Sequence, residues 1–245
     1  MIRLISLAIY YIQRLILFLR PGFFKPKEFF SKMIYFFCNW CYNLFLITAE
    51  SIWFINLILF ESKLYRYYIY PNQFWISLQE SIKIAPQKYM CLTYGETSLF
   101  TIKKSLKIVG IKKNDVFYDL GCGIGRTVFF TNITYGIKSV GIDMIPTFIE
   151  YANKIIKETG LTNIKFINDS IFNQDINEGT IFYISSTCYD NEYMEKLIDK
   201  LKGINKGSRV ISISRPINAP NLRLITSKNM FYSWGIDKTY FQIAV

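Results

Sequence analysis

The chain reads as an α/β protein with a mostly parallel sheet, entered through a helical N-terminal region. Three observations predict this. Downstream of residue 91, short β-branched and aromatic runs alternate with amphipathic helical stretches, the pattern of parallel strands joined by crossover helices. One run, Val116 to Leu120, passes into Gly121, Gly123 and Gly125 and then into a helix-forming segment, so strand, tight turn and helix follow directly. Successive strands end in Asp119, Asp143 and Asp169, at the sheet edge where open parallel sheets bind their ligands.

Composition narrows the chemistry. The 245 residues are enough for a full α/β core plus an appendage, and 51% are apolar and 18% aromatic. Mean hydropathy is +0.19, so a second apolar surface beyond one core is expected. There is no histidine, which removes histidine catalysis and histidine metal sites. Five cysteines without framework spacing read as reduced thiols in a cytoplasmic setting, and Cys38 and Cys41, inside an apolar helix pattern, read as small buried residues. No metal site is expected. The net charge of +11 divides into +6 over residues 1–88 (ten basic, four acidic) and +5 over residues 89–245. Neither part has a long basic block, so no specific nucleic-acid partner is inferred.

Residues 1–90 form the apolar helical region. Residues 4–19, interrupted by Gln13 and Arg14 and stopped by Pro21-Gly22, fit a basic interfacial helix. Residues 33–60 are long enough to cross a bilayer, but Asn39, Asn43, Glu50 and Asn56 recur through them, and a single span would break the positive-inside rule. The preferred reading is a region, residues 1–60, that rests on or dips into a membrane surface at its cytoplasmic face, with a true span as the alternative. Residues 61–90, broken by Pro71 and Pro86, read as a helical linker.

Residues 91–245 form the second region. A helix follows Thr97-Ser98, either of which is a good N-cap, with Leu99, Ile102, Leu106 and Val109 on one face. Strands are expected over 116–120, 138–142, 164–168, 180–184 and 209–214. A helix over 147–158, led by Pro146, buries Phe148, Ala152, Ile155 and Ile156, and another aligns Met194, Leu197, Ile198 and Leu201.

The turn reads acid-x-Gly-x-Gly-x-Gly, with Asp119 two residues before Gly121. This resembles motif I of the class I S-adenosylmethionine (SAM) methyltransferases. In that light SAM is the cofactor: Asp119 stands near its ammonium, Asp143 where a carboxylate accepts both ribose hydroxyls, and Asp169 where one accepts an adenine amino proton, with Ile171 against the ring. Several separated stretches are more specifically similar to the disruptor-of-telomeric-silencing type of histone lysine methyltransferase. Tyr94-Gly95-Glu96-Thr97-Ser98 resembles that family's loop over SAM, which implies cofactor contacts for Tyr94, Glu96 and Thr97. Phe117 to Gly125 resembles its motif I, with Arg126 in place of the usual Gln; Gly121, Gly123, Gly125 and Arg126 are the implied cofactor residues. Gly141-Ile142-Asp143, Asn168-Asp169-Ser170 and Ser212-Ile213-Ser214-Arg215-Pro216 match its later motifs, which adds Ser170. The resemblance covers roughly residues 91–245 and implies a seven-strand, mostly parallel sheet with helices on both faces.

Where the family carries Asn-Asn-Phe after its fourth strand, this chain has Ser185-Ser186-Thr187. The hydroxyls of Ser185 and Ser186 are candidates to orient a neutral acceptor amine, with Tyr183 or Tyr189 lining its approach; the bland alternative is that the serines cap the next helix. The function implied is SAM-dependent N-methylation of a lysine in a protein substrate. The alternatives are the same chemistry on a lipid, quinone or other small acceptor, and a non-catalytic membrane adaptor of the same fold.

Overall fold

The computed structural model describes residues 5, 8, 11, 12 and 26–245. The interfacial helix expected over 4–19 therefore lies almost wholly outside the described residues. From residue 26 onward the chain runs through helices α1 (Pro26–Trp53), α2 (Ile58–Tyr65) and α3 (Gln73–Ile84), followed by α4 (Leu99–Ile108). Strands and helices then alternate: β1 (Val116–Leu120), α5 (Arg126–Tyr135), β2 (Lys138–Asp143), α6 (Pro146–Thr159), β3 (Ile164–Asn168), β4 (Ile181–Ser185), α7 (Asn191–Leu201) and β5 (Arg209–Ile213). A long hairpin, β6 (Leu222–Tyr232) and β7 (Gly235–Ala244), ends the chain.

The seven strands are ordered β3-β2-β1-β4-β5-β7-β6. The first five in this order are parallel, and β7 runs antiparallel to both β5 and β6. Strand order reverses between β1 and β4, which opens a crevice beyond their C-terminal ends. The sequence reading placed the five parallel strands within a residue or so, while the closing hairpin went unlocated.

Strand side chains alternate between two apolar layers. Phe117, Ile181, Tyr183, Ile211 and Ile213 face the layer under α4, α5 and α6. Leu120, Ile142, Phe182, Ile184 and Val210 face the other, closed by Met194, Leu197 and Leu201 of α7. Thr180, just before β4, accepts from Val116 N–H (2.9 Å) and donates to Asp115 (2.8 Å) through its hydroxyl, tying the starts of β1 and β4 together. Helix α6 buries Phe148, Ile149, Ala152 and Ile155 and ends at Gly160 in the left-handed conformation, φ 66°. Ser98 is the N-cap of α4. Asp190, and neither Ser185 nor Ser186, caps α7.

No helix among the described residues is long and apolar enough to cross a membrane. This is at odds with the crossing considered for residues 33–60, and α1 turns Tyr42, Asn43 and Glu50 onto the protein. Asn43 Nδ2 donates to Ser233 O (2.8 Å), and Tyr42 Oη to Gly235 O (3.1 Å), both in the β6–β7 turn. Glu50 accepts from Leu99 N–H at the start of α4 (2.6 Å). Cys38 and Cys41 are exposed rather than buried, since they point away from this contact face.

The N-terminal helices are fastened by Arg126, the first residue of α5. Its guanidinium donates to Glu50 (2.7 Å) and, through two nitrogens, to both Glu61 oxygens (3.0 Å each). The side chains of Arg126, Glu50 and Glu61 are 5%, 2% and 14% exposed. Removing one partner of such a cluster strands buried charge, whereas replacing all partners by apolar groups of like volume does not. Arg126→Met should therefore cost about 3–5 kcal/mol in urea unfolding, and adding Glu50→Gln and Glu61→Gln should recover part of that loss.

Candidate functional site

A cavity of about 310 Å³ lies beyond the ends of β1, β2 and β4, within the size range of small-ligand sites. Its floor is the glycine turn. Gly121 (φ 97°) and Gly123 (φ 52°) both take left-handed backbone, and Tyr189 Oη and the Tyr94 ring lie where their side chains would be, 3.2 and 2.8 Å from an added Cβ. Larger residues here would both strain the turn and fill the space above it.

Two carboxylates face this floor. Asp119, the penultimate residue of β1, accepts from the Thr127 hydroxyl. Burial, reinforced by the nearby Asp143 charge, pushes its carboxyl up to about 8, against the opposing pull of Thr127. Asp143, at the end of β2, accepts from Gly123 N–H (2.7 Å) and Ile145 N–H (2.9 Å). Burial also raises its pKa, and those backbone donors hold it back. Its two oxygens thus lock the glycine turn to the start of α6 while keeping lone pairs toward the cavity. Met144, Ile145, Phe148 and Ile171 supply the apolar wall beside it.

The roof comes from two loops. Tyr94 donates to Glu96 (3.0 Å), which also accepts from Gln73 Nε2 (3.0 Å). Thr97 meets Tyr183 hydroxyl to hydroxyl (2.7 Å), and its carbonyl accepts from Arg126 (2.7 Å). Trp234, at the β6–β7 turn, stacks on Tyr232 with centroids 4.6 Å apart and lies so close to Gly95 that a Cβ there would meet the indole at 2.6 Å.

Of the residues singled out from sequence, Tyr94, Glu96, Thr97, Asp119, Gly121, Gly123, Arg126, Asp143, Tyr183 and Ser185 line this one cavity. Arg126 does so at its edge, with its guanidinium directed to Glu50, Glu61 and Thr97. Among the cavity-lining residues, Gly125, Asp169, Ser170 and Ser186 are absent. Gly125 is the N-cap of α5, and Phe166 packs where its Cβ would stand. Asp169 closes its own turn, accepting from Ser170 N–H (2.6 Å), Asn173 Nδ2 (2.9 Å) and Gln174 Nε2 (2.6 Å). Ser186 is fully buried and donates to Ile213 O (2.6 Å), fastening β4 to β5. Trp234 and Tyr193 line the cavity and were not identified from sequence; no local motif marks either. No group of three or more Cys, Asp or Glu side chains able to hold a metal occurs among the described residues.

Comparison with known proteins agrees with this architecture. The family described as "Histone methylation protein DOT1" matches residues 80–236, a stretch that includes the glycine turn, Asp143 and Trp234. A protein-lysine N-methyltransferase of Saccharolobus islandicus is 27% identical over 121 residues, 49% of this chain and 74% of that protein. An H3 lysine-79-specific histone-lysine N-methyltransferase of Dictyostelium discoideum is 27% identical over 160 residues, 59% of this chain but 8% of that much longer protein. Among solved structures, an RNA methyltransferase from Salinibacter ruber in complex with S-adenosyl-L-homocysteine has TM-score 0.52 and 26% identity, covering 60% of this chain and 93% of that one. TrmN from Thermus thermophilus, with TM-score 0.54 and 15% identity over 69% of this chain and 53% of that one, shares the fold. Sheet order, glycine turn and family match together make this chain a class I SAM-dependent methyltransferase of the DOT1 histone-methylation family.

Proposed function

We propose that the chain is a protein-lysine N-methyltransferase, with SAM held at the ends of β1 and β2 and the acceptor lysine entering beside Ser185. The observation that carries this reading is the meeting of Asp119 and Asp143 in one cavity over a left-handed glycine turn. The lysine methyltransferases among its relatives support the acceptor class. We take residues 91–245 as the catalytic domain and residues 1–90 as the region that braces it.

The residues present fit the cofactor. A carboxylate raised to about 8 by burial is relieved by a cationic partner, and Asp119 would take the ammonium of SAM. Asp143 would accept ribose hydroxyls on its remaining lone pairs, with Ile171 and Met144 against the base. SAM when bound supplies a methyl group already activated on a sulfonium. The chain therefore needs mainly to position, and to exclude water. Tyr94, Trp234 and Ser185 line the cavity; in this reading the two rings cover it and the Ser185 hydroxyl accepts a hydrogen bond from the neutral acceptor amine. Ser186, whose hydroxyl is committed to Ile213 O, is a structural residue in this reading.

Asp143→Ala should abolish SAM binding in calorimetry; unchanged affinity removes the cavity from consideration. Below a pH of about 8, binding a cation at Asp119 must release the proton that burial keeps there. SAM affinity should therefore rise with pH between about 6 and 7.5, by at most about tenfold per unit, and Asp119→Asn should bind weakly with a flattened profile. Ser185→Ala should lower kcat by about tenfold, the worth of one hydrogen bond, at unchanged SAM affinity, while Ser186→Ala should lower stability. Isotope-labelled SAM incubated with the protein and a cell lysate should place label on lysines in protein bands; label confined to the organic extract would instead identify a small acceptor.

A further inference from the structure

The helix that braces the cavity has an opposite face of a different character. Along α1 and the segment after it, Phe37, Phe45, Ile52, Trp53, Ile55 and Leu59 are 59–77% exposed. Contiguous apolar surface of this kind marks an interaction site. Its charge is one-sided. Between Phe29 and Phe60 the sequence holds a single carboxylate, Glu50, and that is buried against Arg126. Positive charge borders the patch: Phe100 of α4 packs on Trp53 and Phe54, with centroids 6.4 and 5.2 Å away, and Lys103 Nζ lies 5.4 Å from the Phe54 ring. Lys104 and Lys107, on the same helix as Lys103, and Lys63 of α2 are also exposed.

Between residues 34 and 59 this helix face is apolar and aromatic, is bordered by Lys103 and exposes no acid, so it complements a surface that is apolar inside and negatively charged outside. That is the boundary of an anionic bilayer, where such helices lie flat with aromatic rings at headgroup depth. The exposed apolar side chains of α1 run from Ile34 to Trp53, a stretch of about 30 Å, so contact would run along most of its side. We propose that the exposed face of α1 docks on an anionic phospholipid bilayer, with the apolar side chains at the acyl boundary and the α4 lysines on the headgroups. The docking is peripheral, and it stands whether or not the acceptor is a lysine.

The test uses the full-length protein and vesicles of phosphatidylcholine with or without phosphatidylserine. The protein should co-sediment with the mixed vesicles, much less with phosphatidylcholine alone, and be released by salt. The double variant Phe45→Asp/Trp53→Asp should lose sedimentation while keeping its circular dichroism and its SAM affinity. Should it fail to fold, the exposed pair Lys103→Glu/Lys104→Glu provides the second arm, lowering vesicle affinity by about fivefold or more per lysine. Absence of binding to mixed vesicles at low salt would overturn the proposal, as would binding that neither variant weakens. So would a wild-type dimer that Phe45→Asp/Trp53→Asp converts to monomer without any vesicle binding, because the face would then be covered by a second copy.

Discussion

A buried guanidinium, that of Arg126, is the constraint on which the rest of the site depends. It stands at the first residue of the helix that follows the glycine turn, and it must be neutralised because a lone charge at 5% exposure is prohibitively costly. The neutralising groups come from outside the strand-and-helix alternation, from Glu50 on α1 and Glu61 on α2. Satisfying this one charge therefore fixes where the N-terminal helices sit. Glu50 simultaneously accepts from Leu99 N–H, and Arg126 also donates to the Thr97 carbonyl. Helix docking, the start of α4 and the cavity roof are thus one hydrogen-bonded unit. Such clusters add little net stability against an apolar replacement, but they penalise any arrangement that leaves a member unpaired.

The cavity brings two carboxyl groups together, those of Asp119 and Asp143. Burial is the largest influence on Asp119, and the nearby Asp143 charge adds to it, so the carboxyl of Asp119 is pushed up to about 8. A cationic partner at Asp119 would relieve that burial cost. The glycine turn allows the approach, since Cβ atoms at Gly121 or Gly123 would meet Tyr189 and Tyr94. Turn conformation and the space above the turn are in this way set by the same short segment. The hairpin carrying Trp234 is held by Asn43 and Tyr42 of α1, which puts a second wall of the cavity under the control of the helix that faces outward.

Some residues had a legible type and an illegible place. Asp169 follows a strand as Asp119 and Asp143 do, yet Asn173 and Gln174 lie within reach of its carboxylate and draw it into its own turn. Ser185 and Ser186 are neighbours of identical chemistry. The strand pleat sends them to opposite sides, so one lines the cavity and the other is bonded to β5. Arg126 read as a cofactor residue from its position, and its partners, 65 and 76 residues distant, could not be inferred from local sequence.

The sequence by itself determined the parallel alternation, the left-handed glycine turn, the acids at the ends of β1 and β2 and the family, because each is written in contiguous residues and local spacing. Only the tertiary structure decided which hydroxyl and which acid reach the cavity, that Trp234 closes it, and that α1 is its brace with one face left outward. Those outcomes depend on contacts between segments far apart in the chain, where packing and the need to pair buried charge choose among side chains that local pattern cannot distinguish.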